Sequence, residues 1–203
     1  MRRLEDGSES PYELNSTFFS ALSDPEDEEL GMARFQCSQA VALAMKGIPA
    51  VYFHSLCGTP NDLDGYQQTK RNRTVNRKKW DQKVLNDLLD DQDTVPAQIF
   101  QWYSRTLRMR AGCPAFHPEA PQEIINLGLS VFAFRRDSQD GALSVFCLFN
   151  FKSDETAIEE MKLVKKIFPQ NKARDLISGG EIDWDKTGRL HLRPYQALWL
   201  SSS

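Results

Sequence analysis

Gly47-Ile48-Pro49-Ala50-Val51-Tyr52-Phe53 is the stretch on which the fold turns. Upstream of it, residues 31–46 read as a helix. Phe35, Ala42 and Met45 form a stripe that Val41, Leu43 and Ala44 widen, so the helix is apolar on most sides and is expected to be buried. Gly47 suits the position just after a helix end, and Pro49 prevents continuation because it has no N–H to give. The apolar run 50–53 is predicted to be a short strand. Apolar residues on both of its faces fit a parallel strand covered by helices. A polar stretch, 54–79, with Gly58, Pro60 and Gly65, then contains Arg73-Thr74-Val75-Asn76-Arg77. A loop of that length in a compact protein is usually functional. Helix, strand and charged loop in this order match one unit of a β/α barrel, where substrate is bound by loops at the C-terminal ends of the strands.

Further along, residues 81–91 are predicted to form a short helix with Val84, Leu85, Leu88 and Leu89 on one side. A longer helix over about 96–111 starts at Pro96, carries Ile99, Phe100, Tyr103 and Leu107 at helical spacing, and ends at Gly112-Cys113-Pro114. The periodicity then becomes that of strands. Val131–Phe134 and Leu143–Phe151 are strand-like, with Asp140-Gly141 between them as a hairpin signal. Shorter strands are expected near 155–159, 173–177, 189–192 and 196–200. The fold class is therefore α/β followed by all-β. One parallel strand cannot stand alone, because both of its edges need partners. Residues 1–117 are thus expected to complete a sheet whose other strands are not in this sequence, and residues 118–203 to form an antiparallel β domain.

Composition limits the function. The chain has 203 residues, 40% hydrophobic and 26% charged, so it has the material for a core. Twenty-five basic and 28 acidic residues give a formal charge of -3, with no global footprint for nucleic acid or an anionic membrane. The local basic run Lys70 to Lys79 has Trp80 as its one adjacent aromatic, which is a poor match to a nucleic-acid surface. Alone, such a run reads as a solvated face. No apolar stretch approaches the ~18 residues that span a bilayer, and Met1–Asp6 contains no apolar signal core. A cytoplasmic protein is expected. Cys37, Cys57, Cys113 and Cys147 form no Cys-x-x-Cys pair, and His54, His117 and His191 show no ligand spacing with them. Reduced thiols and no metal site are the expectation.

Three blocks resemble the sucrose phosphorylase-like branch of the α-amylase superfamily. Pro11-Tyr12-Glu13-Leu14-Asn15-Ser16-Thr17-Phe18-Phe19-Ser20-Ala21-Leu22 resembles the acceptor-site loop after barrel strand seven. Gly47–Phe53 is similar to the eighth strand. Arg73-Thr74-Val75-Asn76-Arg77 looks like the family's Gly-Arg-Asp-Ile-Asn-Arg block, with Asn72 in place of its glycine and Thr74 in place of its aspartate. Leu192–Leu200 resembles the closing strand of the superfamily's β domain. Glu13 after Tyr12, with Pro11 before it, resembles the glucosylglycerate phosphorylase members more than the sucrose phosphorylases.

The resemblance implies the C-terminal part of a (β/α)8 TIM barrel over residues 1–117, with its last strand at about 50–53 and last helix at about 96–111, followed by the β domain over 118–203. It implies a retaining transfer of glucosyl from an α-glucoside to inorganic phosphate, without a cofactor. Arg73 would hold a glucosyl hydroxyl, and Tyr12, Glu13 and Asn15 would line the acceptor or phosphate side. Arg77 is equally a sugar or phosphate contact or a structural ion-pair partner. No catalytic residue is assigned. The family's nucleophile, acid/base and third aspartate follow earlier strands, and none of their motifs occurs here. Asp62 with Asp64 and Asp24 with Glu26 read as solvated loop carboxylates, and His54 as a structural histidine. The chain alone is expected to be inactive and to self-associate through exposed sheet edges. Three alternatives stay open: a carbohydrate-binding or subunit-docking module, a β domain that only stiffens the barrel, and a hydrolase of the same superfamily.

Overall fold

The computed structural model describes residues 2–3, 5–10, 13–158, 167–168, 172–182, 184–185, 187 and 189–201. Contacts divide the chain into two compact units, Met1–Ala21 with Tyr52–Phe100, and Leu22–Val51 with Gln101–Ser203. The expected boundary near 117 cuts the chain differently. The helix before Gly47 and the C-terminal part of the helix before Cys113 group with the sheet, because their apolar faces are buried in the second unit.

In the first unit, β1 (Arg2–Arg3) pairs antiparallel with β2 (Glu9–Ser10). A short helix, α1 (Phe18–Leu22), begins near its end. The apolar run 50–53 is not a strand. Residues 50–52 lie in neither helix nor strand, Tyr52 is extended (φ -77°, ψ 139°), and α3 (Phe53–Leu56) starts where the strand was expected to end. An extended segment becomes a strand only through ladder partners. Among the described residues none is offered, and Tyr52 and Phe53 are about half exposed, at 57% and 48%. The polar stretch 54–79 holds more structure than the sequence suggests: α4 (Leu63–Thr69) and a 3-10 turn at Asn72–Thr74. Asp62 caps α4, its Oδ1 accepting from Gly65 N at 2.9 Å. α5 (Gln82–Asp90) forms where expected, capped by Asp81. Gly58 holds φ +54° against buried Ile99, whose Cδ1 a Cβ at that position would overlap.

The second unit is built on a six-stranded sheet in which every pairing is antiparallel. In spatial order it runs β3 (Gln122–Ile125), β4 (Val131–Asp137), β5 (Ser144–Asn150), β10 (Ala197–Ser201), β7 (Ala173–Asp175) and β8 (Glu181–Ile182). A separate pair joins β6 (Thr156–Ala157) to β9 (His191–Leu192). Register sorts the two faces. Ala133, Leu148 and Leu198 stand opposite one another and bury with Val131, Phe146, Leu200, Ile158 and Leu192 in one cluster. Phe134, Cys147 and Trp199 point to the other face, where Trp199 meets Phe116 at 4.6 Å between ring centroids. α2 (Glu28–Ala44) packs on β5 and β10. Its Phe35, Ala40 and Ala44 are fully buried, and Asp27 caps its start. α6 (Val95–Gly112) runs between the units in sequence.

The C-terminal end of α2 is closed by arginines from elsewhere. The last carbonyls of a helix have no partner within it. Arg136, on β4 and fully buried, donates from Nη1 to Ala44 O at 2.7 Å and from Nη2 to His117 O at 2.8 Å. Its Nε reaches Pro121 O at 3.3 Å. Arg110 donates to Leu43 O at 2.7 Å and to Gly47 O at 2.8 Å. Positive charge there also complements the helix dipole. No helix of the described residues is long and apolar enough to cross a membrane.

Candidate functional site

The first unit brings together three segments that are far apart in sequence. Asn61 is the pin. Its Oδ1 accepts from Thr17 N at 2.7 Å, its Nδ2 lies 3.3 Å from Ser16 Oγ, and its own N–H donates to Ser20 Oγ at 2.9 Å. The segment carrying Glu13 and Asn15 is thereby tied to the Thr59–Asp62 turn. That turn is tied in its own right to the segment carrying Arg73 and Arg77, through Asp62 N to Val75 O at 2.8 Å. Thr69 Oγ1 and Thr74 Oγ1, 2.8 Å apart, hold α4 against the 3-10 turn.

On this frame Arg73 Nε meets Glu13 Oε2 at 3.4 Å. The two residues come from different sequence blocks, 60 positions apart. Both are open to solvent, so the pair is worth little to stability. What it does is hold a guanidinium fork at the surface with its remaining N–H donors free of intramolecular bonds among the described residues. A planar fork of this kind suits vicinal sugar hydroxyls or phosphate oxygens.

The other expected residues fall out differently. Asn15 is half-buried, and its Oδ1 is shielded from solvent without a hydrogen-bond donor. Arg77 is exposed, and its backbone N donates to Thr74 O at 3.1 Å. Its side chain forms no ion pair with the described residues, so the ion-pair alternative for Arg77 finds no partner there. Tyr12 lies outside the described residues. His54 is buried, with Nδ1 3.2 Å from Thr59 Oγ1, and Trp80 Nε1 donates to the same hydroxyl at 3.0 Å. Burial pushes the His54 pKa down and keeps the ring neutral. It is a structural histidine that fixes the turn. Trp80 also carries Lys78 Nζ at 4.1 Å from its ring centroid, so part of the basic run is bound to an aromatic face. Asp24 is paired with Arg34 at 3.3 Å and Asp62 caps α4, so each carries a structural contact.

Asn61 escaped the sequence reading, and Trp80 entered it only as the aromatic beside the basic run. Asp62 was legible in principle, as an Asp three residues before Gly65 at a helix start. Asn61 gives no local signal, because its partners lie 41 to 45 residues away. Among the described residues no group of His, Cys, Asp and Glu could hold a metal ion.

No protein-family model matches the chain. Solved structures do. AmyP in complex with maltotriose superposes with a TM-score of 0.64 at 16% identity, over 90% of this chain and 37% of AmyP. The likeness is one of fold, and it covers a part of AmyP. Among sequence relatives, the glucosylglycerate phosphorylase of Allomeiothermus silvanus is 37% identical over 193 residues, 94% of this chain. The sucrose phosphorylase of Streptococcus mutans is 41% identical over 66 residues, 32% of this chain. The chain is thus similar in sequence to glucosylglycerate and sucrose phosphorylases. It spans about 31% of the length of the Allomeiothermus relative.

Proposed function

We propose that this chain supplies the substrate-positioning, C-terminal part of a retaining α-glucosyl phosphorylase that transfers glucosyl from an α-glucoside to inorganic phosphate. In the first step a carboxylate supplied by the preceding part of the barrel attacks the anomeric carbon. The glycosidic C–O bond breaks, and the leaving oxygen takes a proton from a carboxylic acid. In the second step a phosphate oxygen attacks the same carbon, releases the carboxylate and yields α-glucose 1-phosphate. Arg73 orients the donor glucosyl unit through its hydroxyls. Glu13, held against Arg73, faces the acceptor or phosphate side with Tyr12 and Asn15, and Arg77 adds positive charge toward phosphate. Without a nucleophile the chain positions substrate and performs no transfer.

The observation that carries this reading is the Glu13–Arg73 pair. It joins two blocks that separately resemble the acceptor-site and donor-site loops of one enzyme branch. The test is a fusion of this chain behind the part of the Allomeiothermus enzyme that precedes the matched region. Expected is phosphate-dependent release of α-glucose 1-phosphate from glucosylglycerate. Arg73→Ala should lower kcat/KM by about 100-fold, the loss of one or two hydrogen bonds to a charged donor. Release of glucose independent of phosphate would instead identify a hydrolase. Glucose 1-phosphate made by the 203-residue chain alone would overturn the assignment of chemistry to the preceding barrel.

A further inference from the structure

His54, in α3, stands on the same frame as the Glu13–Arg73 pair. Its carbonyl accepts from Thr59 N at 2.8 Å, and Thr59 opens the turn in which Asn61 is tied to Thr17 and Asp62 to Val75. The residue is only 7% exposed, and its two ring nitrogens fare differently. Nδ1 lies 3.2 Å from Thr59 Oγ1. Nε2 has no hydrogen-bond partner among the described residues, yet it is not sealed from solvent. Tyr52 and Phe53, both about half exposed, meet the ring edge-on, with centroids at 5.1 and 5.5 Å, and hold its plane. A ring buried on its Nδ1 side thus keeps one polar atom within reach of a ligand.

Counting donors fixes which nitrogen carries the proton. An indole N–H only donates, and Trp80 Nε1 gives its hydrogen to Thr59 Oγ1 at 3.0 Å. Thr59 is fully buried, and its hydroxyl has one hydrogen of its own to place. Were Nδ1 protonated, that hydroxyl would accept twice, and its hydrogen would find no acceptor among the described residues. With Nδ1 bare, Thr59 donates to it and all three groups are satisfied. The proton therefore sits on Nε2. Burial holds the His54 pKa below the ordinary histidine range, so at neutral pH the ring is an uncharged donor through that one atom.

We propose that His54 donates its Nε2–H to a hydroxyl oxygen of the glucosyl unit that Arg73 orients, with Thr59 and Trp80 as positioning residues that fix the tautomer. The contact rests on the phosphorylase reading above; the tautomer does not. A ring that stays uncharged adds no pull on phosphate, which guanidinium groups supply, and its match is an uncharged oxygen.

Imidazole ¹⁵N shifts of the 203-residue chain read the tautomer. Expected for His54 is a protonated Nε2 with a bare Nδ1, kept in Thr59→Ser and replaced by a mixture of tautomers in Thr59→Val. A protonated Nδ1 with a bare Nε2 in wild type overturns the proposal. The contact is read in the fusion. His54→Asn places an amide oxygen where Nδ1 stands, keeps the bond from Thr59 and removes the Nε2 donor. His54→Gln does the reverse, placing an amide nitrogen near the position of Nε2. Expected for His54→Asn is a kcat/KM for glucosylglycerate about tenfold lower, with KM for phosphate within about twofold of wild type. His54→Gln should recover kcat/KM to within about threefold of wild type. A histidine that only held the turn would give the opposite order, with the Asn variant the milder. That order, or an equal effect of both variants, overturns the contact while the activity of the wild-type fusion upholds phosphorolysis. A wild-type fusion that releases no glucose 1-phosphate overturns the reading on which the contact rests.

Discussion

Replacing Arg136 with methionine isolates the role of a buried guanidinium that has no carboxylate partner among the described residues. Methionine keeps the stem and most of the volume and removes every donor. Two short bonds disappear, to Ala44 O at 2.7 Å and to His117 O at 2.8 Å, together with the longer ones to Pro121 O at 3.3 Å and Ala120 O at 3.5 Å. A buried carbonyl left without a donor costs about 1–3 kcal/mol, so two amount to roughly 2–6 kcal/mol. Against this stands relief of the cost of burying the charge, a cost expressed in the downward push that burial puts on the Arg136 pKa. The net expectation is a loss of about 3 kcal/mol. Urea unfolding followed by tryptophan fluorescence should show a lower midpoint with an unchanged slope, and thermal unfolding a drop of about 6–12 °C. Arg136→Lys keeps the charge but cannot serve four carbonyls from one ammonium, so it should recover less than half of the loss. A methionine variant within about 0.5 kcal/mol of wild type would refute the argument that the α2 terminus depends on this residue.

Other expectations are independent of it. Gly31→Ala should destabilise even though alanine favours helices, by roughly 1–3 kcal/mol, because its Cβ would run into the backbone at Asp24 N and sit 3.0 Å from Ser23 Cα; chemical denaturation measures it. His191 Nδ1 and Nε2 lie 2.9 Å from Glu155 and from Asp185, and these carboxylates raise its pKa. The pair is therefore fully stabilising below the unfolded value of about 6.5 and is lost as pH rises through the raised folded value. An NMR titration should place the His191 pKa above that of a free histidine in wild type and lower it in Asp185→Asn; an unchanged pKa would remove the link. Burial pushes the Cys37 thiol up to about 12 and Cys147 well above the ordinary range, so neither should react with a thiol reagent at neutral pH until the chain unfolds. Arg73→Ala should leave stability within about 0.5 kcal/mol of wild type, as an exposed ion pair allows, while lowering kcat/KM of the fusion about 100-fold.

The β domain was legible because its signal is local. Alternation in Val131–Phe134 and Leu143–Phe151, with Asp140-Gly141 between them, leads directly to β4, β5 and their turn, where Ser138 N bonds to Leu143 O at 2.8 Å. β3 was missed because Gln122 and Glu123 are polar and the strand sits at the edge of the sheet, half in solvent. The run 50–53 misled because its apolar character reports what it can pack against, whereas a strand also needs a ladder partner. The site was legible in part. Arg73 and Glu13 stand out by their blocks, but their meeting depends on Asn61, whose contacts to Ser16, Thr17 and Ser20 have no trace in spacing. The Arg136 closure of α2 was equally hidden, since an arginine in a strand pattern reads as an exposed position until the sheet shows that it is fully buried.

The order of strands in the six-stranded sheet also sets a timetable. β10, last in the chain, lies in the interior of the sheet, between β5 and β7. A ribosome adding about 5–20 residues per second delivers β5 several seconds before the strand that must cover its edge. Through that interval Val145 to Phe149 present an unpaired apolar edge, the kind of template on which nascent chains join one another. Losing β10 would therefore split the sheet into β3-β4-β5 and β7-β8 rather than fray one border, and the yield of folded protein should depend more on how soon β10 follows β5 than on how stable the sheet becomes.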